Sequence, residues 1–114
     1  MSRVLTSGRH AVPAVLLLAA MQAAAQSVAI GPELWDRPRT GTAIMEQPAV
    51  RQAVRAYLAQ PGAQLVIHHA PGQDAAMYAE ELNSWLIALA VNPEHIRMRG
   101  DLARGDPLKI EVVQ

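Results

Sequence analysis

The stretch from Gln64 to Val91 constrains the fold more than any other part of this sequence. It opens with Gln-Leu-Val-Ile-His-His, and the apolar run Leu65 to Ile67 is typical of a strand buried on both faces. Pro71-Gly72 then marks a turn. From Ala75 to Leu89 apolar residues recur every three or four positions, which predicts an amphipathic helix. The stretch therefore predicts a central strand with a helix folded back over it.

The rest of the sequence adds short elements to this unit. Residues 26–32 are interpreted as a flexible tail, and Glu33 to Trp35 as a short strand. A further helix should begin at Pro48, since proline suits the first helical position. His95 to Arg99 and Leu108 to Val112 alternate apolar and polar residues, as strands with one wet face do. The order β-α-β-α-β-β predicts an α+β two-layer sandwich, with both helices on one face of a small mixed sheet.

Residues 1–25 have the pattern of a secretory signal peptide. Arg3 and Arg9 form a basic start, Ala11 to Ala20 is uncharged, and Ala23-Ala24-Ala25 offers an Ala-x-Ala cleavage site. The apolar run is shorter than the ~20 residues that a membrane-spanning helix needs. We therefore expect export to a bacterial periplasm, and a domain over 33–114 that does not span the membrane after cleavage. An uncleaved anchor is the alternative.

Charge and cysteine content exclude several classes of protein. The sequence has 10 basic and 10 acidic residues and no Cys. Balanced charge gives no basis for a nucleic-acid partner, and disulfides and thiolate chemistry are excluded. His68 and His69 leave opposite faces of a strand and cannot bind one ion together. Because no spacing matches a zinc signature, we predict neither a metal nor a cofactor.

No nucleophile stands beside a base in the sequence. Ser84 falls inside the predicted helix, where it competes for backbone hydrogen bonds. Glu80 and Glu81 are neighbours on that helix and so do not face each other. We therefore predict no catalytic residue, and a small periplasmic enzyme remains as an alternative.

The order of elements, together with the leader, resembles the OmpA-like C-terminal domain family of Gram-negative envelope proteins. The likeness runs from Leu58 to Ile96. Tyr78-Ala79-Glu80-Glu81-Leu82…Trp85-Leu86-Ile87-Ala88-Leu89-Ala90-Val91 is similar to the family's Arg-Ala-x-x-Val…Tyr-Leu-x-x-x-Gly-Ile. Ile96 to Gly100 is similar to the strand and glycine that follow. The resemblance implies an α+β fold and a place in the periplasm.

The chain departs from this family at the ligand site. Members bind the peptide stem of peptidoglycan through an Asp in the loop after the second strand and an Arg on the second helix. These opposite charges suit a zwitterionic amino-acid head. Here Tyr78 stands in the Arg position, and His68-His69-Ala70-Pro71 replaces the loop that carries Thr-Asp. Asp74 is the only nearby acid, and its simplest role is to cap the helix. The resemblance therefore leaves the ligand open.

The first functional hypothesis is a non-catalytic module that contacts another envelope protein. Its candidate surface is Trp35, Arg37 and Arg39, because Trp and Arg are common in binding hot spots. An edge strand over Ile110 to Val113 could also pair with another chain.

The second hypothesis is peptidoglycan binding at a remodelled site formed by His69, Asp74 and Tyr78. The two hypotheses predict different surfaces between the 69–78 turn and the 36–42 loop. A charged cleft there would favour a ligand, whereas a filled, flat surface would favour a protein partner.

Overall fold

The computed structural model describes residues 27–114 and contains a four-stranded mixed sheet with helices packed against it. The strands are β1 (Ser27–Ala29), β2 (Gln64–His68), β3 (Ile96–Arg99) and β4 (Lys109–Val113); the helices are α1 (Gly41–Met45), α2 (Pro48–Ala59) and α3 (Gln73–Ala88). Two 3₁₀ turns cover Pro32–Asp36 and Pro93–His95. No helix within the described residues is long and apolar enough to cross a membrane. The expected signal peptide, 1–25, lies outside them.

The strands lie in the order β1-β4-β2-β3. β2 runs parallel to β3 and antiparallel to β4, while β1 pairs with the outer side of β4. In this register Ile67 of β2 lies opposite Met98 on one side and Ile110 on the other. The expectation that Ile110 to Val113 forms an edge strand is therefore wrong, because β4 has a partner on both sides.

The helices within residues 27–114 cover one face of the sheet. Leu65 and Ile67 of β2 are fully buried, and they share one core with Val50 of α2 and Leu86 of α3. Val66 points to the opposite face and is not part of that core. Both long helices thus pack on the same side of the sheet. The predicted two-layer α+β sandwich is confirmed.

The N-terminal segment differs from the prediction. In place of a flexible tail over 26–32 and a strand over 33–35, Ser27–Ala29 forms β1 and Pro32–Asp36 forms a 3₁₀ turn. The proline at the start of the turn fixes a helical φ and offers no N–H to a sheet. The turn also buries Leu34 completely. β1 in turn satisfies the backbone groups on the outer side of β4, which would otherwise remain exposed.

Helix α3 ends in a Schellman turn with a residue in the left-handed region. Val91 N–H donates to the carbonyl of Leu86 (3.0 Å), and Ala90 N–H donates to that of Ile87 (3.1 Å). Ala90 has φ of 79°, a conformation in which Cβ crowds the following carbonyl oxygen. The OmpA-like pattern has Gly at this position. Ala90 therefore adopts a geometry that favours glycine.

We predict that Ala90→Gly stabilises the protein by about 0.5–1 kcal/mol. Gly removes a left-handed penalty of roughly 1–2 kcal/mol, and the greater freedom of the unfolded chain offsets part of this gain. Urea unfolding followed by circular dichroism measures the change. Ala88→Gly, within α3, is the matched control and should destabilise, since Gly in a helix costs roughly 0.5–1 kcal/mol. Destabilisation by both variants would contradict the prediction.

Candidate functional site

A cleft of about 620 Å³ opens at the end of the sheet where β2 ends and β4 begins. Three segments line it: Ile30 with the 3₁₀ turn at 32–36, the turn and first helical residues at 70–78, and the loop at 104–108. An open cleft beside the 69–78 turn is the outcome that favours a ligand over a flat protein interface. Its facing walls are the 32–36 turn and the 104–108 loop; of the 36–42 loop, Asp36 alone lines it.

The loop reaches the cleft because of the strand order. β3 and β4 are not neighbours, since β2 lies between them. The connection over 100–108 must therefore cross the end of β2 to pass from one side of that strand to the other. This crossing places Arg104 and Asp106 in the lining of the cleft.

One wall of the cleft is an aromatic stack. The rings of Trp35, from the 3₁₀ turn, and Tyr78, from α3, lie with their centroids 4.6 Å apart and their planes 14° from parallel. Both side chains are half-buried and pack against the core. Stacked rings of this kind form a rigid surface of low conformational entropy. The stack therefore joins the N-terminal segment to α3 and gives the cleft a firm apolar wall.

The remainder of the lining carries charges of both signs. Asp36, Asp74 and Asp106 contribute three carboxylates, and Arg104 contributes one guanidinium. Asp106 also accepts a hydrogen bond from the N–H of Ala103 (3.1 Å) within its own loop. With Asp and Arg side chains ionised at neutral pH, the lining has an excess of negative charge.

Asp74 is not the cap of α3. The N-cap residue is Gly72, with φ of 111° and no side-chain hydrogen bond to the helix, and Asp74 lies in the first turn. Because a side chain is strained at this φ, the glycine determines where the helix begins. The capping role expected for Asp74 is therefore wrong. Its carboxylate instead lines the cleft, near the favourable positive end of the helix.

Arg39 has a structural partner outside the cleft. Its guanidinium donates to both carboxylate oxygens of Glu81, at 2.8 and 3.0 Å, and to the carbonyl of Trp35 at 3.1 Å. Trp85 Nε1 also donates to Glu81 (3.2 Å). The hydrogen bonds from Arg39 lower the pKa of Glu81, and those to Glu81 raise the pKa of Arg39. This bidentate ion pair links Arg39, which follows the 3₁₀ turn that carries Trp35, to helix α3.

The structure separates the six candidate residues into two groups. Trp35, Asp74 and Tyr78 meet in the cleft. Arg37, Arg39 and His69 do not line it. Arg37 Nη2 lies 4.0 Å from Oε1 of exposed Glu46. The His69 ring lies against Gly100, with Nδ1 2.9 Å from the carbonyl oxygen of Ala70.

Sequence reasoning missed three charged residues of the lining, Asp36, Arg104 and Asp106. The polar Gly/Asp-rich stretch over 100–107 predicts a turn, and nothing local indicates that this turn crosses the end of β2. Among residues 27–114, no three His, Asp or Glu side chains are grouped so as to hold a metal ion.

The chain matches no protein-family model, no curated protein and no solved structure. Its function must therefore be argued from the cleft and from the residues that form it.

We predict that Glu81→Gln destabilises the fold at neutral pH, because it removes the anionic acceptor shared by Arg39 and Trp85. The pKa of Glu81 lies below its ordinary value of 4.5. Its contribution is therefore present above that value and is lost as the pH falls through the lowered pKa. The variant should accordingly lose less stability than the parent between pH 5 and pH 3.

Urea midpoints at each pH measure this effect. Glu80→Gln is the matched control, since Glu80 is exposed and forms no ion pair with the described residues. Equal effects of the two substitutions would contradict a structural role for the Arg39–Glu81 pair.

Proposed function

We propose that this chain is a non-catalytic binding module of the bacterial cell envelope, and that its open, charged cleft binds a short peptide segment of another envelope protein as a ligand. The observation that carries the proposal is the stacked pair Trp35 and Tyr78, which forms a rigid wall beside an open, charged lining. An apolar wall with a few polar groups around it is the usual composition of a binding pocket.

The lining of the cleft offers groups for binding but no Ser, Thr, Cys or Lys nucleophile. None of the residues that line it is Ser, Thr, Cys, Lys or His. A hydroxyl, thiol or amine nucleophile activated by a histidine base therefore has no residue in this lining. What the cleft offers is an aromatic surface, three carboxylates and one guanidinium, which are groups that recognise a ligand by shape and charge.

The charge of the lining favours a basic segment of the partner. Three carboxylates against one guanidinium attract Lys or Arg side chains. Such side chains bury their aliphatic stems on apolar surfaces while the charged end reaches an acid. The faces of aromatic rings also attract cations. A short peptide with alternating basic residues would satisfy both parts of the cleft.

The proposed location in the periplasm rests on the leader. Cleavage after Ala25 would leave one residue, Gln26, ahead of β1, which begins at Ser27. Every described strand and helix would therefore remain in the mature protein. The sequence has no Cys, so no disulfide can stabilise the domain.

Two fluorescein-labelled peptides, one of alternating Lys and Ala and one of alternating Glu and Ala, test the partner chemistry. We expect the purified protein to bind the Lys peptide more tightly, and Asp74→Asn to weaken binding by about tenfold, equivalent to one charge-assisted contact. Fluorescence anisotropy measures both affinities. The substitution keeps the shape of the side chain and should leave the fold intact.

Glu94→Gln is the matched control, because it removes the same charge from an exposed site outside the cleft. Its affinity should equal that of the parent. Equal binding of the two peptides, or an equal loss in both variants, would contradict recognition of a basic segment by the cleft.

A second candidate is peptidoglycan binding at a remodelled site. The observation in its favour is that Arg104 lines the same cleft as Asp74. Tyr78 carries no positive charge, and Arg104 supplies one from another segment. One charge of each sign suits a zwitterionic peptide stem. Co-sedimentation with sacculi that is lost in both Asp74→Asn and Arg104→Gln would favour this candidate over a protein partner. Absence of co-sedimentation would contradict it.

A further inference from the structure

The face of the sheet opposite α2 and α3 holds a histidine between two carboxylates. His68 Nδ1 lies 2.8 Å from Oδ1 of Asp101, and its Nε2 lies 2.8 Å from Oε1 of Glu111. The imidazole is only 13% exposed. The two acids belong to different elements, since Asp101 lies in the loop after β3 and Glu111 lies in β4. His68 therefore bridges that loop and the sheet.

Both contacts form fully only when the imidazole is protonated. An ionised carboxylate only accepts hydrogen bonds, so each ring nitrogen must carry a hydrogen to donate to its partner. A neutral imidazole has one N–H and can donate to only one of the two acids. The bridge between the loop and the sheet is therefore complete in the imidazolium form alone.

The same loop forms a wall of the cleft. Asp101 stands three residues before Arg104, and Arg104 to Leu108 line the cleft. Besides the His68 bridge, Leu102 N–H donates to the carbonyl of His69 (3.1 Å) as the loop crosses the end of β2. Loss of the Asp101 contact would leave the start of the loop with fewer attachments to the sheet.

We propose that His68 is a pH-sensitive latch, which fastens the 100–108 loop to the sheet when protonated and releases it when neutral. The consequence for binding in the cleft rests on the proposed function. The latch itself is a property of the folded chain and can be tested without a ligand.

Charged groups on three elements face His68. Arg99 of β3 and Lys109 of β4 lie opposite it in the sheet and disfavour its protonation, while Asp101 and Glu111 favour it. Arg97 lies two residue pairs away, opposite Val66. Burial lowers the pKa of His68, but the hydrogen bonds with Glu111 and Asp101 outweigh this effect and raise it above 6.5. The two contacting acids thus dominate.

The direction of the pH dependence follows from these shifts. A raised histidine pKa means that the stabilisation is fully present below about 6.5 and is lost as the pH rises through the folded-state value. At the acid end, the hydrogen bond with His68 lowers the pKa of Asp101 below 3.8, so its contribution is lost as the pH falls through that lowered value. The latch should be closed in mildly acidic solution and should open towards alkaline pH.

Nuclear magnetic resonance of the full chain tests the latch between pH 5 and pH 9. We expect the amide signals of 101–108 to shift with the same midpoint as the His68 ring. Their hydrogen-exchange protection, corrected for intrinsic exchange, should fall by about tenfold above that midpoint, a factor equivalent to the loss of one hydrogen bond to a charged group. A His68 ring that titrates while the loop amides keep their protection would overturn the proposal.

Variants of the bridge separate the latch from other titrations. Asp101→Asn and His68→Gln should both remove the loop transition. Asp101 is half exposed, so its substitution should leave the fold intact even if His68→Gln unfolds. His95→Gln should keep the transition. It changes a histidine that lies just before β3 and is hydrogen-bonded to Tyr57. A transition that persists in Asp101→Asn would refute the latch, whether or not the cleft binds a basic peptide.

Discussion

The structure depends on the burial of two side chains of one strand, Leu65 and Ile67. Both are fully buried beneath α2 and α3. Because successive side chains of a strand point to opposite faces, a slip of one residue would move both out of this core, and so their burial fixes the register of β2. That register brings the ends of β2 and β4 together at the cleft. It also places His68 on the face opposite the helices, within reach of Glu111.

The central part of the fold could be predicted because its signals are local. The apolar run of β2 and the helical spacing of apolar residues in α3 each indicate the type of element within a few residues. β1 could not be predicted in this way, since its three residues carry no apolar alternation and form a strand only against β4. Trp35 suggested a strand, but the preceding proline and the burial of Leu34 favour a 3₁₀ turn.

The site was predictable to the extent that it lies near the turn between β2 and α3. Asp74 and Tyr78 were identified from their place around that turn, and both line the cleft. Arg39 was expected on a binding surface, but its partner Glu81 stands 42 residues away in sequence, so no local pattern reveals the pair. Arg104 was missed because it reaches the cleft only through the strand order β1-β4-β2-β3, which no local sequence pattern indicates.

The position of β4 has a consequence for biosynthesis. β4 is the last of the four strands to leave the ribosome, yet it lies between the first and the second. β1 therefore has no partner until synthesis has passed β4, and the nascent chain cannot complete its sheet while earlier segments emerge. Closing contacts between such distant segments also slows folding. The three earlier strands therefore depend on β4 to join β1 to the β2–β3 pair.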